Sequence, residues 1–312
     1  MSALAVFVNP RARKGRSAAR AQTAITALRD LRGSDAVELV NADSTAAVRA
    51  EAGRLVRAGC ERIVVLGGDG LVHHVTQAVA GSDTVMGVVP IGSGNDLAMA
   101  LGLPGDPAAA ARVALGAARP IDLLRTTSTE GSQLWAVSVA TVGFSAAVNE
   151  RAEALRWPRG SARYSLATML ELPGLQCRPM VMTLEGPDGT IEQHRLDAAL
   201  VAVANTSCFG GGMRICPAAR PDDGLADVTV IGSVGRLSLL AHFARVFRGT
   251  HVRHHAVSTF RASALSLASA DAGAGTGAGA GAIRADGEAW TQLPARIEVV
   301  PAALWVAAPG DQ

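Results

Sequence analysis

Apolar positions in the first third of the chain fall in short blocks whose internal spacing alternates between continuous and helical. Leu4 to Val8 is an unbroken apolar run closed by Asn9-Pro10, which reads as a buried strand stopped where proline cannot continue a ladder. Ser17 to Leu31 places Ile25, Leu28 and Leu31 on one helical side. Val37 to Val40 is a short strand, and Ser44 is positioned to cap a helix through Arg57 that packs on Val48, Leu55 and Val56. The β-branched run from Ile63 comes next, followed by Val72, Val75 and Val79 at spacings of three and four. Val85 to Val89 gives another strand, and a helix from Leu97 to Leu101 leads to Pro104. Strands alternating with helices predict a doubly wound parallel sheet covered on both faces.

The pattern changes near Ile121-Asp122. From Leu134 onward short β-like runs dominate: Leu134 to Val139, Met180 to Leu184, Leu200 to Ala204, Ala226 to Ile231, Val257 to Ala262 and Ala264 to Ala268. Helical spacing interrupts them at Ala146 to Leu155, Ala162 to Leu172 and Leu237 to Phe247. The expected organisation is therefore an α/β domain over 1–122 and a mainly antiparallel β domain over 123–300. Residues 269–282 are almost wholly Gly and Ala and predict a flexible loop between two strands. Arg296 to Val300 and Leu304 to Ala307 predict a closing strand pair, with 301–312 a candidate to return to the first domain.

Composition narrows the class. With 49% hydrophobic and 18% charged residues the chain is globular, and a net charge of +2 gives no electrostatic case for nucleic acid. Cys60, Cys177, Cys208 and Cys216 show no CxxC spacing, so free thiols in a reducing compartment are expected. Ala3 to Val8 is too short for a signal peptide, and no stretch approaches the roughly 20 apolar residues of a membrane span. A cytoplasmic protein, with at most peripheral contact with a membrane, follows as the expectation.

The candidate chemistry sits in the turns. Ile63 to Leu66 stops at Gly67-Gly68-Asp69-Gly70, and a helical pattern follows. Strand, glycine turn and helix is the geometry in which backbone N–H groups and a helix N-terminus face an anion. Glycine is needed because a Cβ would block both positive φ and a phosphate's close approach. A plain βα connection is the simpler reading of that turn alone. Three strands, however, end in Asn9-Pro10, Gly67-Gly68-Asp69-Gly70 and Gly92-Ser93-Gly94-Asn95-Asp96, and in a parallel sheet all three ends lie along one edge. No GxxxxGK[ST] is present, Gly92-Ser93-Gly94 lacks the third glycine of a dinucleotide fingerprint, and the protein-kinase residue set is missing.

The ordered set Asn9-Pro10-Arg11-Ala12-Arg13-Lys14-Gly15-Arg16, Gly67-Gly68-Asp69-Gly70 and Gly92-Ser93-Gly94-Asn95-Asp96-Leu97-Ala98 resembles the diacylglycerol kinase and sphingosine kinase catalytic-domain family. The resemblance continues through Asn205, Gly210-Gly211-Gly212-Met213-Arg214, Pro221-Asp222-Asp223-Gly224-Leu225-Ala226-Asp227 and Asp286-Gly287-Glu288, and is greatest to the soluble bacterial members. It implies an ATP- and Mg²⁺-dependent lipid kinase, diacylglycerol being the default acceptor, with transient contact at a membrane surface; a homodimer is compatible with it. It implies ATP contacts at Asn9, Gly67, Gly68, Asp69, Gly70, Ser93, Gly94 and Asn95, with Gly92 and Asp96 in the same turns, and the Arg13 and Lys14 side chains can reach a triphosphate. Asp286 matches the family's general base with Glu288 beside it, and Asp69 and Asp96 match acids that organise the phosphate and its magnesium. Asp223 matches a carboxylate of a second magnesium site completed by carbonyls at Arg220 and Leu225.

Ordinary readings stand beside these. Asp286-Gly287 is a favoured hairpin turn pair, Asp222-Asp223-Gly224 an ordinary turn, and Asn95-Asp96 a helix cap. His73 and His74 are adjacent and cannot face one metal from one helix; His251, His254 and His255 among arginines read as a solvated face. Phe144, Leu155, Trp157, Tyr164, Leu166, Met169 and Leu170 could line an acyl cleft or simply form core. The family commonly follows the glycine turn with Thr, then Asn and Glu, where Leu71, His73 and His74 stand here; Arg13 replaces a frequent glycine. An NAD kinase, which shares the Gly-Gly-Asp-Gly turn, is the second reading, and a non-catalytic lipid- or nucleotide-binding protein with a decayed site the third.

Overall fold

The computed structural model describes residues 4–8, 16–40, 42–143, 148, 151–152, 154–155, 166–167, 170–171, 177–233, 244–270 and 281–310. The chain forms two compact units, Met1–Asp122 with Pro301–Gln312, and Leu123–Val300.

In the first unit β1 (Leu4–Val8), β2 (Val37–Val40), β3 (Arg62–Gly67) and β4 (Val85–Pro90) form a parallel sheet in the order β2-β1-β3-β4. Val8 lies opposite Leu66, and Gly67 opposite Pro90, so β1, β3 and β4 end close to one line. The last strand of the chain, labelled β16 below, adds itself parallel to β4 through Val306 and Met86. The order reverses between β1 and β3. That switch point is where open α/β sheets bind ligands beyond the strand ends. Four helices clothe the sheet: α1 (Arg16–Arg32), α2 (Thr45–Arg57), α3 (Asp69–Val79) and, after the short α4 (Asp96–Ala100), α5 (Pro107–Ala114). Leu4, Val6, Val8, Val64 and Leu66 pack against Ala24 and Leu28 of α1 and Ala110, Ala111 and Ala114 of α5. Their neighbours Ala5, Phe7, Ile63 and Val65 are also fully buried, which is why these strands read as continuous rather than alternating apolar runs. The Ser44 hydroxyl accepts from the Ala47 N–H at 3.2 Å to start α2. Helix α5 escapes the periodicity argument, because its buried positions are alanines; its signal is the cap Asp106, whose carboxylate accepts from Ala109 N–H at 2.8 Å, followed by Pro107 at the first helical position.

In the second unit two sheets pack on one core. The strands are β5 (Ala118–Ser128, entered from the first unit), β6 (Gln133–Ala136), β7 (Val139–Gly143), β8 (Arg178–Glu185), β9 (Ile191–Ala198), β10 (Leu200–Ala204), β11 (Ala226–Ile231), β12 (Val257–Ala262), β13 (Ala264–Ser269), β14 (Ala282–Ala285), β15 (Glu288–Gln292) and β16 (Ala295–Ala307). One sheet runs β12-β11-β10-β7-β14-β15 and is antiparallel throughout. In the other, β13 lies antiparallel between β8 and the first half of β16, and β9 edges β8. Val142, Val201, Val203, Val228 and Ile283 of the first sheet meet Met180, Met182, Leu265, Leu267 and Ile297 of the second.

Three differences from the sequence reading carry information. The single run Leu134 to Val139 breaks into β6 and β7, which join different sheets. The closing strand pair is one strand, β16, bent at Ala302 with φ 53°, whose N–H donates to the Asp122 carboxylate at 2.9 Å. Strand β9 is missed because Glu192, Gln193 and Arg195 leave it mostly exposed, as suits a charged sheet edge. Of the expected helices at 146–155, 162–172 and 237–247, the described residues are helical except Leu155; the rest of these stretches, and 271–280 of the Gly/Ala loop, lie outside the described residues.

Candidate active site

The first unit brings two glycine turns into backbone contact. Strand β3 ends at Gly67, Gly68 stands extended before α3, and Asp69 and Gly70 open the helix. Beyond β4 the second turn runs through Ile91, Gly92, Ser93 and Gly94 to Asn95, held left-handed at φ 62°, and Asp96 starts α4. The Asp69 carboxylate joins them: one oxygen accepts from the Asn95 N–H and the other from the Asp96 N–H, both at 2.7 Å. Asn95 folds its own turn, its Oδ1 accepting from Gly92 N–H at 3.1 Å and its Nδ2 donating to Gly92 O at 2.9 Å. A Cβ on Gly92 would lie 2.4 Å from the Cα of Gly68, so a side chain there must drive the turns apart. At Gly67 the obstacle is the Leu71 side chain, 2.8 Å from an added Cβ. Ser93 and Gly70 are exposed and Asp96 is buried. Asn9, Arg13 and Lys14 lie outside the described residues.

Two arginines that the sequence reading passed over support this wall. From α1, Arg20 donates to the carbonyls of Pro90 and Gly105, each at 2.9 Å, fixing the exit of β4. From α2, Arg49 donates to Nδ1 of His74 at 3.2 and 3.3 Å. That contact requires the acceptor form of Nδ1, so a guanidinium and an imidazole pair directly behind the first turn. His73 and His74 are buried in packing. His251 is buried too, against the solvated-face reading: its Nε2 meets Ile215 O at 3.1 Å, and burial pushes its pKa down.

The second unit fixes Asp286. It and Gly287 form the two-residue turn of the β14–β15 hairpin, with φ of 51° and 88°, the pair of positive values that such a turn needs. The hairpin reading and the functional reading thus describe the same residues. The Asp286 carboxylate accepts three backbone N–H groups, Val137 at 2.9 Å on one oxygen, Ser138 at 2.8 Å and Val139 at 3.3 Å on the other. Those amides are unavailable to a ladder, which is why β6 stops and β7 starts across them. Buried Arg284 donates from Nε to Gly287 O at 2.9 Å and ties the turn from below. Glu288 opens β15, half-buried.

The Asp223 turn is held by charge. One oxygen of Asp223 accepts the Leu225 N–H at 3.1 Å, and the other pairs with the Arg261 guanidinium. Arg261 stands opposite Asp227 in the β11–β12 register and reaches its carboxylate at 3.4 Å. Burial pushes the Asp227 pKa up, with Arg261 opposing and Asp223 adding to the shift. Arg220 pairs with Asp222 at 3.7 Å. All four cysteines are free; burial pushes the Cys216 thiol up to about 12.

The chain matches the Diacylglycerol kinase catalytic domain family over residues 3–126 and the YegS C-terminal NAD kinase beta sandwich-like domain over 138–308. Diacylglycerol kinase of Mycobacterium tuberculosis (strain ATCC 25618 / H37Rv) is 37% identical over 305 residues, covering 97% of this chain and 94% of that one. The chain belongs to the diacylglycerol kinase family. A protein of Xanthomonas euvesicatoria named "Probable lipid kinase YegS-like" is 31% identical across 80% of this chain and 79% of its own. For the fold, the crystal structure of a diacylglycerol kinase from Bacillus anthracis str. Sterne superposes with a TM-score of 0.70 at 17% identity, covering 99% of this chain and 97% of that chain. The molecule is accordingly a kinase of α/β plus antiparallel β architecture.

For this kinase the metal question is one of donors. Among the described residues no three His, Cys, Asp or Glu side chains converge to hold a metal ion. A divalent cation held by fewer than three such side chains would draw the rest of its coordination from backbone carbonyls, water or phosphate oxygens, as magnesium commonly does. At Asp223 it would share the carboxylate with Arg261. Of the acyl-cleft stripe, Leu155 packs on Val148, Ala152 and Ala167, and Leu170 is 48% exposed; Phe144, Trp157, Tyr164 and Met169 lie outside the described residues. No helix among the described residues is long and apolar enough to cross a membrane.

Proposed function

We propose that this kinase transfers the γ-phosphate of ATP to the hydroxyl of a diacylglycerol-like lipid. The observation that carries the reading is the Asp69 bridge, which holds two glycine turns together beyond the ends of β3 and β4, beside the switch point of the parallel sheet. ATP is bound there by Gly67, Gly68, Asp69, Gly70, Gly92, Ser93, Gly94, Asn95 and Asp96, with Asn9, Arg13 and Lys14 adding contacts to the triphosphate. Phosphoryl transfer asks little covalent chemistry of a protein beyond positioning, charge compensation and a base for the accepting hydroxyl. Asp286 is that base, its orientation fixed by three amides, with Glu288 beside it. The lipid oxygen bonds to the γ-phosphorus, the bond to the β–γ bridging oxygen breaks, ADP leaves, and the hydroxyl proton passes to Asp286. Asp69 and Asp96 would hold Mg²⁺, which would offset phosphate charge, and Asp223 with the carbonyls of Arg220 and Leu225 would hold a second ion. The lipid is met by transient contact of a cytoplasmic protein with a membrane surface.

Purified protein, radiolabelled ATP and mixed micelles test this with diacylglycerol, ceramide, a sphingoid base and phosphatidylglycerol as acceptors, and NAD alongside. Phosphate on diacylglycerol is the expected result; phosphate on NAD alone, or on nothing, ends the proposal. Asp286→Asn should lower turnover by at least about 100-fold while ATP still binds.

A further inference from the structure

We propose that Asn205 is a positioning residue for Asp286, acting through two of the three peptide units that grip the carboxylate. Asn205 follows β10 directly and is completely buried. Its Nδ2 donates to the carbonyl of Val137 at 3.0 Å, and its backbone N–H donates to the carbonyl of Ser138 at 2.8 Å. The amide orientation is fixed by chemistry, since only the nitrogen end can face a carbonyl oxygen.

These two carbonyls belong to the peptide units whose other ends hold Asp286. The Val137 carbonyl shares its plane with the Ser138 N–H, which donates to Asp286 at 2.8 Å. The Ser138 carbonyl shares its plane with the Val139 N–H, which donates to the same carboxylate oxygen at 3.3 Å. Each peptide is therefore an intermediate link: it accepts from Asn205 and donates to Asp286. Linked hydrogen bonds of this kind polarise one another, strengthening each by roughly 10–30%. A further bond runs the other way, from the Asp286 N–H to the Val139 carbonyl at 3.0 Å, so the turn and the segment 137–139 are locked as one piece. Geometry also explains the residue type. Aspartate would set an acceptor against the Val137 carbonyl, glutamine would carry the amide one methylene too far, and serine would not reach.

The inference rests on Asp286 being the base. Its consequence is specific: removing the Asn205 amide leaves ATP binding in the first unit untouched and lets the carboxylate drift. Small misplacements of a catalytic group cost on the order of 100-fold. Asn205→Ala, the isosteric Asn205→Asp, Asp286→Asn and the Asn205→Ala/Asp286→Asn double variant are compared by steady-state kinetics, with ATP-binding stoichiometry by calorimetry counting folded molecules. Expected are a fall in kcat of about 10- to 100-fold for both Asn205 variants, an unchanged KM for ATP, and no further fall when Asn205→Ala is added to Asp286→Asn. Unchanged kcat in either correctly folded Asn205 variant, while Asp286→Asn loses turnover, overturns the inference and leaves the base in place. A loss that multiplies with Asp286→Asn, or that appears equally in KM for ATP, also overturns it. Turnover retained by Asp286→Asn removes the base assignment and this inference with it.

Discussion

At the scale of single residues the site depends on absent side chains as much as on present ones. Gly68 and Gly92 touch through their backbones, and Asp69 spends both carboxylate oxygens on the neighbouring turn. Gly92→Ala must open that contact, at a cost of about 1–3 kcal/mol in stability and roughly tenfold or more in ATP affinity, since the turns separate where the phosphates are proposed to lie. Thermal melts and calorimetric ATP titration measure both. Gly105→Ala, where an added Cβ meets nothing within 4 Å, is the matched control and should change stability by no more than about 0.5 kcal/mol. The Gly-Gly-Asp-Gly stretch was visible in the sequence as a turn with an acid. The Gly92 turn was expected on the same sheet edge, but the backbone contact of Gly68 with Gly92 was not, because it joins positions with no local relation in the chain.

Among the elements, the hairpin β14–β15 and the turn before β11 show how ordinary structure holds candidate groups. A two-residue turn forces positive φ on Asp286, and that conformation aims its carboxylate at the gap between β6 and β7. The turn at Asp223 is held by Arg261, an arginine placed by cross-strand pairing with Asp227. Arg261→Gln leaves the two carboxylates without that cation. The variant, free of nucleotide, should melt at a lower temperature than the parent, and millimolar Mg²⁺ should restore more stability to it than to the parent. Scanning calorimetry with Mg²⁺ and with chelator reads the difference; equal responses in both proteins would show that Arg261 and the cation do not compete. Arg261 carries no motif, and only the β11–β12 register reveals it.

For the whole molecule, stability should depend on pH through His251. Burial lowers its folded pKa, so its contribution is complete above the unfolded imidazole value of about 6.5 and is lost as pH falls through the folded value. Melting temperature should drop from about pH 6.5 downward, and His251→Gln should flatten that drop; a parallel fall in both proteins would assign the effect elsewhere. Asp227 acts with the opposite sign: its raised pKa gives stability below the unfolded value of about 3.9 that is lost as pH rises through the folded one. The α/β plus antiparallel β class and the family were legible in the chain, because continuous apolar strands, helical spacing and the order of the motifs are local properties. Helix α5, whose core positions are alanines, and β9, whose edge is polar, were not, since neither presents an apolar period. Folding alone brings Asp69 to Asn95 and Asp96, Arg49 to His74, Arg261 to Asp223, and Asn205 and Asp286 to the same two peptides. Those are contacts between residues distant in sequence, and backbone amides, which make half of them, carry no signature in the identity of the residue that bears them.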